Sequence, residues 1–258
     1  MKKRSIIYRG SLFFDKRPEI FIKNSIESAR KWFDGEIIVS TWKHQEKYLF
    51  GIDGIDKIVL TEDPGSGPIQ QMNRQLISYM NGVENSNGDE ILVTRTDMVH
   101  DKNIFDFLYK NTKKNNIFNI FENKIVVGNM MTISPSSNVE IKHFRINDWF
   151  HCGTKEDIFK LGDIKNTLLE QNTNGMDCTE QAWSLCLIKK YIDKNLNFQN
   201  FEEFYKNSLN YMVNNFDVYN TKSSLGATNY NWYNQPEFLD CYITEEEFIS
   251  IYNKILNS

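Results

Sequence analysis

The feature that most constrains the fold of this chain is the alternation, through residues 5–99, of short apolar runs with longer amphipathic segments. The runs have the length and residue types of strands, and they occupy residues 5–9, 36–42, 56–61 and 90–99. Segments 19–33 and 69–80 between them place apolar residues at helical spacing. This alternation indicates βαβ units, and therefore a mostly parallel sheet covered by helices on both faces. The sequence predicts a doubly wound, Rossmann-like α/β fold, in which ligands bind beyond the carboxyl ends of the strands.

The second half of the chain has a different pattern. Its predicted elements are strands over 124–133 and 144–152, helices starting near Thr154, Thr179, Phe201 and Thr244, and a loop over 219–238. Thr154 and Thr244 are each followed three residues later by an acidic residue, which is typical of a capped helix start. We predict that residues 1–190 form one α/β domain and that residues 191–258 form a helical, aromatic-rich extension packed on it.

Composition excludes several functional classes. The net charge is −4, which argues against non-specific binding to nucleic acid. No apolar run approaches the roughly 20 residues that span a bilayer, and the basic N-terminus lacks the uninterrupted apolar core of a signal peptide. The four cysteines are scattered without C-x-x-C spacing, so we expect reduced thiols rather than a zinc site or a disulfide framework. These features predict a cytoplasmic protein.

The motifs that most often accompany this fold class are missing. The sequence has no phosphate-binding P-loop, no G-x-S-x-G nucleophile elbow and no H-E-x-x-H zinc motif. Gly65 and Gly67 begin a G-x-G, but Gln70 stands where a dinucleotide fingerprint needs its third glycine. The chemistry therefore has to be sought at other residues.

The strongest candidate is the segment TRTDMVHD, residues 94–101, which closes a predicted buried strand. Asp97 lies there at a carboxyl end, where a carboxylate can hold a divalent cation against phosphates. If the strand continues, Arg95, Asp97 and Val99 share one face. The alternative is structural: Asp97 caps the turn that leads to a helix near Asn103.

Three further positions carry candidate groups, each with a structural alternative. Arg74 offers a planar guanidinium that matches phosphate, or it lies on a solvated helix face. Asp148, beside Trp149 in a predicted strand, is either a base with a raised pKa or a buried carboxylate bonded to backbone N–H groups. Glu180 is either a base at a cleft edge or an acidic residue of a first helical turn. His100 and His151 lie near these carboxylates and are candidate metal ligands or ordinary polar contacts.

The order of motifs along the chain resembles one known family. STW follows the second strand, DPG precedes N-R-Q, R-T-D ends a strand, and D-W-F-x-x-G-x-x-E-D follows. Over roughly residues 5–190 this succession resembles the WavE-like family of lipopolysaccharide-synthesis proteins, which is similar to glycosyltransferases of the GT-A fold. The resemblance implies a nucleotide-sugar donor and a saccharide or lipid-linked glycan acceptor in the assembly of bacterial lipopolysaccharide or capsule.

Carried over by position, the resemblance assigns roles to individual residues. Asp97 occupies the place of the aspartate in the family's R-S-D motif, which resembles the metal-binding D-x-D of GT-A enzymes, and this implies a bound Mn²⁺ or Mg²⁺. Arg95 stands where a D-x-D has its first aspartate. Asp63 and Arg74 match DPG and N-R-Q on the donor side. Asp148 matches the D-W motif; Glu180 matches the acidic residue before the glutamine of a later helix.

These observations lead to three hypotheses. The first is a glycosyltransferase in which a carboxylate deprotonates the acceptor for direct displacement; we favour Glu180 over Asp148, because a helix N-terminus at the cleft edge can face an acceptor. Its donor-binding candidates are Arg9, Asp63, Arg74, Arg95 and Asp97. The second is a catalytically inactive member that binds a nucleotide or sugar, and the third is a nucleotidyltransferase, for which the N-terminus offers only Arg9-Gly10. A lipid-linked acceptor would bring the protein to the inner face of the membrane as a peripheral contact, and the extension 191–258 would lie on the acceptor side.

Overall fold

In the computed structural model of the chain, the described residues form one mixed sheet of seven strands. The structure describes residues 2–12, 18–65, 71–128, 144–164, 179–195, 201–219 and 243–256. The strands are β1 (Arg4–Arg9), β2 (Glu36–Trp42), β3 (Lys57–Thr61), β4 (Glu90–Arg95), β5 (Ile125–Gly128), β6 (Phe150–Thr154) and β7 (Phe216–Tyr219).

The order of strands across the sheet is β3-β2-β1-β4-β6-β5-β7. Strands β1 to β4 are parallel to one another, and β7 is parallel to β5. Strand β6 runs antiparallel to both of its neighbours, β4 and β5. This arrangement confirms the predicted α/β fold with a mostly parallel sheet.

Helices cover both faces of this sheet. They are α1 (Pro18–Arg30), α2 (Met72–Glu84), α3 (Lys155–Gly162), α4 (Thr179–Tyr191), α5 (Phe201–Asn215) and α6 (Glu245–Leu256), with 3₁₀ turns at Lys43–Leu49 and Ile104–Phe107. The Thr154 hydroxyl accepts a hydrogen bond from the Asp157 N–H at 3.2 Å, and the Thr244 hydroxyl accepts one from the Glu247 N–H at 3.0 Å. Both predicted helix caps are therefore confirmed.

The core divides into two layers, one on each face of the sheet. Along β1, Ile6 and Tyr8 belong to the layer that contains the apolar face of α1, whereas Ile7 belongs to the layer that contains α2 and α4. All three side chains are fully buried. This burial on both faces explains why the strand sequences are apolar along their whole length instead of alternating.

Within the described residues, two strand boundaries differ from the prediction by at least four residues, and both differences involve candidate site residues. Strand β4 ends at Arg95, because the Met98 N–H bonds to the Arg95 carbonyl at 3.1 Å and closes a turn. Strand β6 begins only at Phe150; before it, the Asn147 side chain accepts the Trp149 N–H at 2.7 Å. The prediction that Asp148 lies within a strand is therefore wrong, because Asp148 lies two residues before β6. Asp97 lies in the turn directly after β4, beside the carboxyl end at which the sequence placed it.

The sequence predicted a helical region after residue 190, but this region also contains a strand. Helix α5 leads directly into β7, whose four residues are all buried and which pairs with β5. Residues 191–219 thus contribute an edge strand to the main sheet, and the predicted loop over 219–238 lies, after Tyr219, outside the described residues. None of the helices in the described segments is long and apolar enough to cross a membrane.

Candidate functional site

The described strands reverse their order of addition at β1. From β1 the chain adds β2 and then β3 on one side, and β4 joins on the other side. In open α/β sheets the crevice at the carboxyl ends beside such a reversal is the usual ligand site. A cavity of about 490 Å³ lies there, and its lining includes Arg9, Gly10, Trp42, Asp63, Arg74 and Arg95. We call it the switch-point cavity.

Two arginines stand side by side at the reversal. Arg9 is the last residue of β1, Arg95 is the last residue of β4, and the parallel register pairs their Cα positions. Arg9 is only 3% exposed. Burial lowers the pKa of Arg9, the charge of Arg95 lowers it further, and the nearby charge of Asp148 opposes the shift. Folding has therefore placed two like charges together, which is favourable when an anion lies between them.

The backbone next to Arg9 leaves room for a ligand. Gly10 adopts a φ of 104°, and apart from Gly10 and its two chain neighbours no described atom lies within 4 Å of the position that a Cβ would take. Its N–H donates to the Ser40 carbonyl at 3.0 Å and its carbonyl accepts from the Thr41 hydroxyl at 2.8 Å, so the turn is fixed. A side chain at this position would be strained and would reach into open space at the cavity wall.

Arg74 is held at the cavity by Asp63. The Arg74 Nε and Nη2 atoms donate to the two carboxylate oxygens of Asp63, both at 2.7 Å, and the Gly65 N–H adds a bond to Oδ1 at 2.9 Å. The hydrogen bond from Arg74 is the largest cause that lowers the pKa of Asp63. The pair joins the segment after β3 to helix α2. It brings the D-P-G and N-R-Q motifs together, and it leaves the Arg74 side chain only 34% exposed.

Arg95 and Asp97 form a second bidentate pair. Arg95 Nε donates to Asp97 Oδ1 at 3.0 Å and Nη2 donates to Oδ2 at 2.8 Å. The Asp97 side chain is 1% exposed. The Arg95 guanidinium also lies 5.8 Å from the centre of the Trp149 ring, and the Arg95 N–H bonds to the Trp149 carbonyl at 3.0 Å. The structural alternative was that Asp97 caps the turn near Asn103. The cap of that 3₁₀ turn is Asn103 itself, whose side chain accepts from the Phe105 N–H. The Asp97 carboxylate holds Arg95 instead.

The residues around Asp97 do not fit a Mn²⁺ or Mg²⁺ ion. Such ions need several oxygen ligands, and both oxygens of Asp97 already accept from Arg95. In the described part of the chain, no group of three or more His, Cys, Asp or Glu residues could hold a metal. His100 and His151 are buried in polar contacts with Thr94 and the Asn147 carbonyl, and burial lowers the pKa of each to about 4.

Two polar groups at the cavity have no hydrogen-bond partner among the described residues. They are the buried Trp42 Nε1 and the buried Gln75 Oε1, and both residues line the cavity. An unsatisfied buried donor or acceptor costs about 1–3 kcal/mol, and a ligand that pairs with it removes that cost. Neither residue was a site candidate from the sequence, although Trp42 ends the S-T-W motif and Gln75 ends the N-R-Q motif.

The candidate bases line a second cavity, which at about 10 Å³ is far smaller than the switch-point cavity. Asp148, His151 and Glu180 all line it, and Asp148 and Glu180 are 4% and 8% exposed. Glu180, in the first turn of α4, lies 3.6 Å from the Arg145 guanidinium. The charge of Asp148 acts on both Arg9 and His151. The fold thus brings the two predicted carboxylates together in what we call the carboxylate cavity, next to Arg9 of the switch-point cavity.

Comparison with known protein families shows to which family the chain is related. The model of the WavE lipopolysaccharide synthesis family matches residues 12–229. The chain belongs to this family. The WavE match continues past the region 5–190 in which the motifs were recognised, and it includes β7. A search of curated proteins finds no match. Membership of the WavE family connects the protein with lipopolysaccharide synthesis.

Proposed function

We propose that this WavE protein is a glycosyltransferase that moves a sugar from a nucleotide-sugar donor to a saccharide acceptor during lipopolysaccharide or capsule assembly. The observation that carries the proposal is the switch-point cavity, in which arginines and unpaired indole and amide groups converge. Its volume of about 490 Å³ lies in the range of small-molecule sites, which is about 300–1,000 Å³.

The lining suits the two halves of a nucleoside diphosphate. Guanidinium groups match phosphate oxygens in a planar fork, and Arg9, Arg74 and Arg95 all border the cavity. The indole of Trp42 and the amide of Gln75 offer an aromatic surface and polar groups to a nucleobase. A nucleotide-sugar supplies both chemistries in one molecule, whereas a simple sugar or a simple anion supplies one.

The chemistry follows from the positions of the charges. A carboxylate takes the proton from an acceptor hydroxyl, the hydroxyl oxygen forms a bond to the anomeric carbon, and the bond from that carbon to the diphosphate oxygen breaks. Arg9 and Arg95 stabilise the negative charge that develops on the leaving diphosphate. A single displacement of this kind inverts the anomeric configuration.

Asp148 is the better placed of the two candidate bases. Its backbone carbonyl accepts a hydrogen bond from Arg9, which lines the donor cavity. Glu180, on helix α4, lies instead beside Arg145. We therefore propose Asp148 as the base and keep Glu180 as the second candidate, which reverses our preference from sequence. The acceptor we propose is a saccharide or a lipid-linked glycan, reached by peripheral contact with the inner face of the membrane.

A second function deserves a test because of one observation: Asp97, the aspartate of the R-T-D motif, is fully engaged by Arg95. A protein that lacks a metal at this position can also be an inactive member that binds a nucleotide or sugar. Nucleotide binding without any turnover, measured with a panel of sugar acceptors, favours this alternative. Turnover that disappears in the Asp148→Asn variant favours the enzyme.

Thermal unfolding with UDP, GDP, CMP and dTDP tests the proposal directly. A nucleotide at about 100 times its dissociation constant adds about 2.7 kcal/mol to the free energy of unfolding, which raises the melting temperature measurably. We expect one nucleotide to stabilise the protein and the same nucleotide not to stabilise the Arg95→Gln variant. If none of the four raises the melting temperature at millimolar concentration, the donor site is not a nucleotide site and the proposal fails.

A further inference from the structure

Arg95 is a cation that the fold holds in a fixed orientation. Two of its nitrogens bond to Asp97, its backbone N–H bonds to Trp149, and its guanidinium lies over the Trp149 ring. A guanidinium restrained at both its backbone and its side chain loses little conformational freedom when a ligand binds. Since Arg95 also lines the switch-point cavity, this restrained charge borders the space where a ligand would lie.

Arg9 adds a second fixed charge beside the first. It is buried, it donates to the Asp148 backbone carbonyl, and its Cα is the register partner of Arg95. Each strand end thus places a guanidinium on the same wall of the cavity. A diphosphate carries its charge on two linked phosphates, and two adjacent guanidinium groups are a complement to it that requires no metal ion.

Asp97 is a poor ligand for a metal ion while it pairs with Arg95. Its two oxygens are the acceptors of the bidentate pair, and its side chain is 1% exposed. Recruiting these oxygens to a cation would leave a guanidinium unpaired next to a doubly positive ion, and Arg9 is close by. The sequence-based expectation of Mn²⁺ or Mg²⁺ at this position and the geometry of the position therefore disagree.

We infer that the donor diphosphate is bound without a divalent cation, with Arg95 in the role that a metal ion would fill and Asp97 as the residue that positions Arg95. This inference rests on the proposed function, since it concerns the diphosphate of the nucleotide-sugar. It predicts that added metal does not strengthen nucleotide binding, because a metal ion that coordinates the diphosphate competes with the guanidinium groups for the same oxygens.

Isothermal titration of the wild-type protein with UDP, GDP and dTDP, in EDTA and then in MnCl₂ or MgCl₂, tests the inference. For the nucleoside diphosphate that binds, we expect the dissociation constant in EDTA to be equal to, or smaller than, the value with metal. Binding that is more than about tenfold tighter with metal, about 1.4 kcal/mol, overturns it. Failure of all three to bind in either buffer is a different result, because it removes the proposed function and the inference with it.

The Asp97→Asn variant separates a metal ligand from a positioning residue. If Asp97 positions Arg95, the substitution weakens diphosphate binding by the same factor in EDTA and in MnCl₂. If Asp97 holds a metal, the loss appears only in MnCl₂, and the inference is wrong. The Arg95→Lys variant keeps the charge without the bidentate fork and is expected to bind more weakly than wild type but more tightly than Arg95→Gln.

A matched control removes a guanidinium at the other end of the sheet. Arg30 donates to the carbonyls of Gly35 and Gly54, before the starts of β2 and β3 and so opposite the switch-point cavity. The Arg30→Gln variant is expected to bind the nucleoside diphosphate as wild type does. Circular dichroism melting of each variant identifies any that fails to fold, and the comparison of buffers with wild-type protein is independent of all of them.

Discussion

Arg9 donates a hydrogen bond from Nη2 to the backbone carbonyl of Asp148, a residue 139 positions later in the chain. This bond joins the end of β1 to the segment that enters β6. It also joins the two cavities, since Arg9 lines the switch-point cavity and Asp148 lines the carboxylate cavity. Because the charge of Asp148 also acts on Arg9, a donor phosphate bound by Arg9 would lie near the carboxylate that we propose as the base.

The Arg9→Gln substitution tests the role of this arginine. We expect the affinity for the nucleoside diphosphate to fall at least about tenfold, because one of two adjacent guanidinium groups is lost. We expect the melting temperature without ligand to change little, since the lost bond to Asp148 is offset by removal of a charge that burial and Arg95 disfavour. Titration calorimetry and thermal unfolding measure the two effects; unchanged affinity would show that Arg9 is only structural.

Trp42→Phe removes one N–H and keeps an aromatic side chain. Because Trp42 Nε1 has no hydrogen-bond partner among the described residues, we expect weaker binding of the nucleotide, by about fivefold for a lost bond of about 1 kcal/mol. The smaller ring at this buried position also lowers the stability without ligand, so the affinity is the informative measurement. The matched control is Trp32→Phe, since Trp32 Nε1 donates to the His100 carbonyl at 2.8 Å. That variant should lose stability and keep its affinity. Unchanged affinity in Trp42→Phe, or weaker binding in Trp32→Phe, contradicts the assignment of Trp42 to a nucleobase.

The two candidate bases are distinguished by amide substitutions of equal size. We expect Asp148→Asn to lower kcat by at least about a hundredfold, in the range of general base catalysis, while nucleotide affinity stays close to wild type. We expect Glu180→Gln to lower kcat less, because Glu180 faces Arg145 instead of Arg9. Steady-state release of nucleotide measures both. If Glu180→Gln has the larger effect on kcat, the base is Glu180, as the sequence alone had suggested.

The sequence was informative where local pattern decides the structure. The apolar runs predicted β1 to β4, because strands buried on both faces need apolar residues throughout, and two threonine caps marked helix starts. Arg9, Arg74 and Arg95 were selected from strand ends and motif order, and one cavity contains them all. The carboxyl-end rule needs only the order of elements, so it does not depend on side-chain detail.

The sequence pattern did not predict the structure at positions where a tertiary contact determines it. The end of β4 depends on a single turn at Arg95, and this turn converts Asp97 from a strand residue into the partner of its own neighbour. The unpaired Nε1 of Trp42 is a property of everything around it, which no local sequence encodes. Strand β7 has only four residues directly after a helix, too few for a period-two pattern to be distinguished from the helix end.

Because His100 is buried, we predict that the free energy of unfolding falls in acid. Burial lowers the pKa of His100 to about 4, from an ordinary value of about 6.5, so the folded protein binds this proton less readily than the unfolded chain. Stability therefore falls as the pH decreases from about 6.5 to about 4, by up to about 1.4 kcal/mol per unit for each such histidine. His100→Phe should lose less stability between pH 7 and pH 5, measured by urea unfolding. Thr94 keeps its contact with the Trp149 carbonyl in this variant. An equal loss in variant and wild type would rule out His100 as a source of the acid sensitivity.

The buried ammonium of Lys124 leads us to predict that an apolar substitution at this position stabilises the protein. The Lys124 ammonium is buried without a hydrogen-bond partner in the described part of the chain, 4.0 Å from the centre of the Tyr252 ring. Burial lowers the pKa of Lys124 to about 8; the negative charge of Asp217 opposes the shift, and Lys114 adds to it slightly. Below pH 8 the folded protein therefore contains an unfavourable charge, and this cost disappears as the pH rises from about 8 to about 10.5, where the folded lysine has lost its proton before the unfolded one.

Lys124→Met should therefore raise the free energy of unfolding at pH 7 by about 1–2 kcal/mol, after the lost contact with Tyr252 is taken into account. The gain should shrink towards zero at pH 10, where wild type no longer has the charge. Lys114→Met is the control, because the Lys114 ammonium donates to the carbonyls of Phe121 and Glu122 and its removal should destabilise the protein at pH 7. Thermal unfolding of the three proteins at both pH values measures these differences. A Lys124→Met protein that is less stable than wild type at pH 7 would mean that the Tyr252 contact and the attraction to Asp217 outweigh the burial of the ammonium.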